Sequence, residues 1–255
     1  MTDRPSVHLE ELTWPEIEGA LEAGVETVLV PAGSVEQHGP HLAILKDAAW
    51  AEAIGAEVAR ELGDALVAPV IRPGTSDHHM AFSGTISYRP ETLMRVTEDY
   101  CTSLASHGFE TIVVFSLHGG NFPAMNAVLP QIAEELEGEA RLITLLDKGL
   151  LIDPLLESLD EFDIPREARG HGGAAVTASV LHLRPDLVRE DEYVPGFQGD
   201  VSTSSLLTHG LESVSELGHM GDPTYTTDEL GREVTDRLVA AFVDRIEAER
   251  GNSHE

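Results

Sequence analysis

Four side chains able to bind a metal ion stand in two short segments of this 255-residue chain. The first segment reads Gly33-Ser34-Val35-Glu36-Gln37-His38-Gly39-Pro40-His41, with Asp47 a short way beyond it. In extended backbone, side chains two positions apart share a face, so Glu36 and His38 point the same way. The second segment reads Ser116-Leu117-His118-Gly119-Gly120-Asn121, where the glycines permit tight turning and close backbone approach beside His118. Together they offer two imidazoles and two carboxylates, a mixed N and O donor set that suits Zn2+ or Mn2+. With one carboxylate as a bridge, the set also suits a pair of ions that activates a shared water and polarises a carbonyl. Taken locally, a plainer account stays open. Glu36 and His38 would be loop residues, Asp47 a negative charge at a helix N-terminus, and His118 a surface residue of a strand-to-helix turn.

Other chemistries find less support. No Gly-x-Ser-x-Gly elbow points to a serine hydrolase. Neither a Walker-type phosphate loop nor a Gly-x-Gly-x-x-Gly fingerprint is present. The single cysteine, Cys101, falls on an expected helix and reads as packing rather than as a nucleophile.

Both segments follow runs with strand character. Thr27-Val28-Leu29-Val30-Pro31 predicts a short buried strand, and the β-branched run Thr111-Ile112-Val113-Val114-Phe115 predicts the clearest one. Residues 65–70 and 140–146 are further strand candidates. Helical spacing predicts helices over residues 47–62, 90–106, 123–136 and 174–183, with Pro130 expected to kink or break the third. A last amphipathic helix is expected from Thr226, with Glu229 completing a capping box, to about Glu247. Repeated β-then-α units imply a mainly parallel sheet with helices on both faces, a three-layer α/β/α arrangement. Ligands in such folds bind beyond the carboxyl ends of the strands, which is where both donor segments fall. No repeat or low-complexity linker divides residues 1–255, so one domain is expected. The stretch from Arg184 to Pro223, rich in Gly, Ser, Thr and Asp, reads as a long irregular excursion that shapes a site or an interface.

Composition narrows the partners. Sixteen basic residues face 45 acidic ones, for a formal charge of -29, and only Lys46 and Lys148 among the basic residues are lysines. Such a surface repels nucleic acid and anionic membranes. The acids are spread along the chain rather than gathered in a tail. That pattern fits work in high salt, where counterions screen self-repulsion; an acidic docking face for a basic partner is the alternative. No apolar run is long enough to span a bilayer, and Met1 to Glu10 shows no secretory pattern. With a lone cysteine, a reducing cytoplasm is the expected compartment.

The donor segments resemble the creatininase (creatinine amidohydrolase) family. Its first motif is matched by Gly33-Ser34-x-Glu36-Gln37-His38-Gly39-Pro40-His41-Leu42, with Asp47 at the expected distance. Further blocks are Gly74-Thr75-Ser76-Asp77-His78-His79 leading to Gly84-Thr85-Ile86-Ser87, then His118-Gly119-Gly120-Asn121, and more weakly His171-Gly172-Gly173-Ala174-Ala175-Val176-Thr177. Gly221-Asp222-Pro223 also fits, so the resemblance spans nearly the whole chain. It implies a creatininase-like α/β/α fold, often hexameric, that hydrolyses a C–N bond of a small amide or cyclic amide with a metal-activated water. Glu36 and His118 would hold one ion, His38 the other, and Asp47 would bridge them. The metal would be Zn2+ or Mn2+, with Fe2+ as a further option, one or two per chain. His171 would act in catalysis beside Glu36, giving a proton to the leaving nitrogen. Ser76, His79, Gly119 and Asn121 would lie on the substrate side.

Two positions depart from the family pattern. Creatininase carries a glutamate ligand for the second ion where this chain has Gly120. Relatives with the glycine form carry one instead at the place of Val176, and Ala174 replaces a frequent acid. Asp77 or His79 could replace the missing ligand, or a single ion could bind tightly; the changes also argue against creatinine as substrate. Two other functions remain in view: a degenerate member serving binding or assembly, and a peptidase acting on a small modified peptide.

Overall fold

Four short apolar-rich runs pair in parallel to make the central sheet: β1 Thr27–Ala32, β2 Ala65–Val67, β3 Thr111–Ser116 and β4 Arg141–Leu145, with β1 and β2 wholly buried and β4 partly so. Their order is β2-β1-β3-β4. This is a computed structural model, and it describes residues 6–251. The expected domain over 1–255 and the N-terminal stretch from Met1 therefore include residues 1–5 and 252–255, which lie outside the described residues. The second strand is shorter than expected and ends at Val67.

Because side chains alternate along a strand, the sheet has two apolar faces. Val28, Val30, Leu66, Ile112 and Val114 pack with residues of α1 (Trp14–Glu22), α3 (Pro90–Ser106) and α4 (Phe122–Glu135). Leu29, Val67, Val113, Phe115 and Ile143 belong to the other cluster. Its helical members come from α2 (Lys46–Leu62), α5 (Lys148–Glu161), α6 (Ala174–Leu183) and α8 (Asp228–Gly251). Helices on both faces of a parallel sheet are the expected three-layer architecture.

Two local expectations change. Helix α4 runs through Pro130 without a break, held by Met125, Val128 and Ile132 buried against the sheet. The last helix is capped one residue later than expected: Thr227 Oγ1 accepts the Leu230 N–H at 3.1 Å, while Thr226 Oγ1 donates to the Ala174 carbonyl at 3.4 Å. The excursion from Arg184 to Pro223 is not wholly irregular, since it carries the short helix α7 (Thr203–His209).

What matters for chemistry is the central pair. Strands β1 and β3 are direct neighbours, and their last residues, Ala32 and Ser116, are in register. The Glu36 and His118 segments therefore leave the sheet side by side.

Candidate metal centre

Beyond Ala32 the chain passes so close to the start of α2 that a Cβ on Gly33 would lie 2.4 Å from the Ala48 Cα. This contact places Asp47, in the first turn of α2, over the end of β1. Asn121 closes the arrangement. Its amide donates to the Gly33 carbonyl at 2.9 Å, and its Oδ1 accepts the Thr75 N–H at 2.9 Å. Expected on the substrate side, Asn121 is fully buried and ties three segments together.

The four expected ligands converge. Asp47 Oδ1 lies 3.4 Å from His38 Nε2, and its Oδ2 lies 3.2 Å from His118 Nδ1. Glu36 Oε2 is 3.4 Å from His118 Nε2, while Oε1 is 3.3 Å from His79 Nε2, 3.6 Å from His171 Nδ1 and 3.8 Å from His38 Nε2. Both oxygens of Glu36 are buried and have no hydrogen-bond partner among the described residues. A buried carboxylate in that condition is costly unless a cation compensates it.

Ring orientations point the same way, because a carbonyl only accepts and so fixes which nitrogen carries hydrogen. His38 Nδ1 donates to the Glu36 carbonyl at 3.1 Å, and His171 Nε2 to the Gln37 carbonyl at 2.7 Å. His118 Nε2 donates to the Thr75 carbonyl at 2.9 Å. In the neutral rings, His38 Nε2, His171 Nδ1 and His118 Nδ1 then turn lone pairs toward carboxylate oxygens. Backbone carbonyls that orient imidazoles in this way are characteristic of metal-binding histidines. Glu36, Asp47 and His118 form one triad with donor atoms close enough to hold an ion, and Glu36, His38 and His171 form another.

His79 is held differently. The Gln37 amide Oε1 accepts the Gly39 N–H at 3.0 Å, so its Nε2 donates to His79 Nδ1 at 2.8 Å. The hydrogen of neutral His79 is thereby placed on Nε2, facing Glu36 as a donor rather than a ligand. Asp77, the other candidate for the missing ligand, is exposed. Ser76 is buried, with Oγ 3.4 Å from His118 Nε2.

Charge states follow from these neighbours. Burial pushes the Glu36 carboxyl up, outweighing His118 and His38. Burial acts on Asp47 in the same direction, yet Lys46, and then His38 and His118, hold it well below the usual carboxylate range. Burial disfavours a charged His118, but Glu36 and Asp47 prevail and push it up to about 9. For His171, burial and then the neighbouring His38 and His79 hold the imidazole well below its ordinary value. Burial, followed by His78, pushes His79 down to about 2. The His38 and His171 rings stack at 3.9 Å, as His79 and His171 do at 4.4 Å.

A cavity of about 280 Å3 opens onto this cluster and is lined by Glu36, His79, His118, Gly119 and His171. Its far wall, formed by Phe122, Leu206, Leu207 and Leu211, is apolar and comes partly from α7. Lining residues outside the candidates drawn from sequence include His78, Lys148 and the leucines of the apolar wall, Leu206, Leu207 and Leu211. Lys46 was also unassigned. Its Nζ is 2.5 Å from Asp47 Oδ1, and the only signals for it were its rarity and its place beside Asp47.

Comparisons with known proteins point to one family. A family model described as creatinine amidohydrolase matches residues 10–246. The mycofactocin precursor peptide peptidase of Mycolicibacterium smegmatis is 34% identical over 233 residues, covering 89% of this chain and 86% of that protein. The creatinine amidohydrolase of Pseudomonas putida is 30% identical over 204 residues, covering 74% and 76%. Among solved structures, a manganese creatininase superposes with a TM-score of 0.79 at 27% identity, covering 96% of this chain and 98% of its own. A Zn–Zn form of a creatininase variant gives 0.76 at 26% identity, with the same coverage.

Proposed function

Because this chain belongs to the creatinine amidohydrolase (creatininase) family, we propose that it is a metal-dependent amidohydrolase that splits the C–N bond of a small amide, consuming water and releasing a carboxylic acid and an amine. The observation that carries this reading is Glu36, whose two buried oxygens have no hydrogen-bond partner and face imidazole nitrogens on several sides. Glu36, Asp47 and His118 would hold a divalent ion, with His38 on the far side of Asp47. Such an ion supplies Lewis-acid polarisation of a carbonyl and acidifies water at neutral pH. Zn2+ and Mn2+ suit the donor set, and Fe2+ is compatible with it.

The remaining side chains would handle the substrate and protons. His171 spends Nε2 on the Gln37 carbonyl, so Nδ1 is the atom free to take up a proton and pass it to the leaving nitrogen. His79, with hydrogen on Nε2, would donate a hydrogen bond beside Glu36. Ser76 and Gly119 would lie along the substrate's path, while Asn121 acts by holding the Gly33 and Thr75 backbones. The leucine wall would exclude water from the reacting amide.

A second reading takes a short peptide as the substrate. It is favoured by the likeness to mycofactocin precursor peptide peptidase and by the apolar wall that α7 adds to the cavity. We further infer a homo-oligomer, hexameric in the manner often found in the family, working in a salt-rich cytoplasm. Melting temperature measured in low and in molar salt tests the last point, and equal values would overturn it.

The deciding experiment is a turnover screen over cyclic amides, formamides and short peptides with Zn2+, Mn2+ or Fe2+ added in molar salt. Hydrolysis that chelation abolishes and metal restores is expected. Metal-free protein with undiminished hydrolysis would reject the proposal.

A further inference from the structure

In a metal-dependent amidohydrolase site of this build a second ion would have no carboxylate of its own, and Lys46 stands against Asp47 on that side. Resting on that reading, we propose that the Lys46 ammonium takes the place of the second cation, so that the chain binds a single divalent ion at Glu36, Asp47 and His118.

A carboxylate that bridges two ions gives one oxygen to each. Asp47 Oδ2 faces His118 Nδ1 at 3.2 Å and accepts a hydrogen bond from Ser34 Oγ at 2.6 Å. Asp47 Oδ1, on the His38 side, already receives Lys46 Nζ at 2.5 Å. The lysine is only 3% exposed, and its Nζ sits 4.8 Å from the centre of the Trp50 ring. Trp50 is fixed in turn by its Nε1–H, which donates to Ser179 Oγ at 2.8 Å. A buried ammonium is tolerated when it is paired, and Asp47 with the indole face supplies that pairing.

The donor inventory leads to the same place. At position 120 a Cβ would lie 2.4 Å from His118 Nε2 and 2.5 Å from the Thr75 carbonyl oxygen, so this backbone has no room for a side-chain ligand there. At position 176 the side chain is valine, and it lines a cavity of about 270 Å3 together with Lys46, His38 and Asp47. The His38 side, which has only the shared oxygens of Glu36 and Asp47 and no carboxylate of its own, is thus the side that carries a fixed positive charge. With two carboxylates and the ammonium, one divalent ion leaves a single surplus positive charge. A second ion beside the ammonium would leave the buried site with three surplus positive charges, a state that desolvation disfavours. Lysine fits this place better than arginine would, since its charge is compact and sits at the end of a flexible stem.

The test counts ions in the folded chain. The wild-type protein is saturated with Zn2+ or Mn2+ at micromolar free metal, and bound metal is measured by native mass spectrometry and by elemental analysis. One ion per chain is expected, and the Mn2+ form should give the six-line electron paramagnetic resonance signal of an isolated ion. The double variant Lys46→Met with Val176→Glu, which removes the ammonium and restores a carboxylate, should take up two ions and show an exchange-coupled signal. Two tightly bound ions or a coupled spectrum in the wild type would overturn the proposal. So would one ion in the double variant, if circular dichroism shows that it is folded. Absence of any bound ion, with no metal-dependent hydrolysis, would instead defeat the amidohydrolase reading and this inference with it.

Discussion

Two halves of the centre meet at Asp47, and they solve the problem of buried negative charge in opposite ways. On the Glu36 and His118 side, the carboxylate has no hydrogen-bond partner, and burial pushes it toward its neutral form. On the Lys46 side, the Asp47 carboxylate stays ionised well below its usual range, because an ammonium of the same chain touches it, with His38 and His118 beside it. One half is complete as folded. The other keeps two buried carboxylate oxygens that only neighbouring imidazoles face. Ion binding is therefore expected at that half, since polar satisfaction is withheld where a function is served.

Removing ligands from the open half should have the largest effects. His118→Ala should lose more than about 100-fold in metal affinity, with turnover falling to background, because on the proposed reading the removed imidazole would itself be a ligand. Isothermal titration with Zn2+ and a hydrolysis assay check both, and survival of both would make His118 a turn residue. His171→Ala should lower kcat by about 10²–10⁴-fold while bound metal stays unchanged, as befits a group that only moves protons. Loss of metal in that variant would make His171 a ligand.

Stability of the metal-free protein separates the halves more finely. Asp47→Asn weakens the partner of a buried lysine and should cost roughly 3–5 kcal/mol in a denaturant titration. Glu36→Gln removes a carboxylate that faces His118 but accepts no hydrogen bond, so it should cost the metal-free protein less than Asp47→Asn does, while metal no longer raises its melting temperature. Equal losses in the two variants would erase the contrast drawn here. The smallest effect concerns Cys101, away from both halves. Burial pushes its thiol up to about 12, so the native protein should resist alkylation at pH 8 and react only on unfolding.

Much of this centre was legible in the order of residues. Glu36, His38 and His118 follow strands whose β-branched runs are unmistakable, and Asp47 opens the next helix, so both donor segments were assigned to strand ends. The shorter elements were less legible. Helix α1 is short and buries only Ala20, and α5 has Pro154 in its middle, so neither stands out as a long apolar-patterned run. Both depend on packing against the layers already present. Pro130 illustrates the converse: a residue that disfavours helix is carried along because Val128 and Ile132 beside it are buried against the sheet.

The order of residues by itself determined the kinds of donor atom available, the absence of a carboxylate at positions 120 and 176, and the sheet edge to which the donors attach. It did so because side-chain chemistry and strand periodicity are local properties. Only the tertiary structure decided which lone pairs face which carboxylate, that His79 presents a hydrogen, that Asn121 is a tie between loops, and that Lys46 lies against Asp47 Oδ1. Those facts depend on contacts between Gln37 and His171, Thr75 and His118, or Trp50 and Ser179. Such pairs are far apart along the chain, and they meet only once β1 and β3 lie in register.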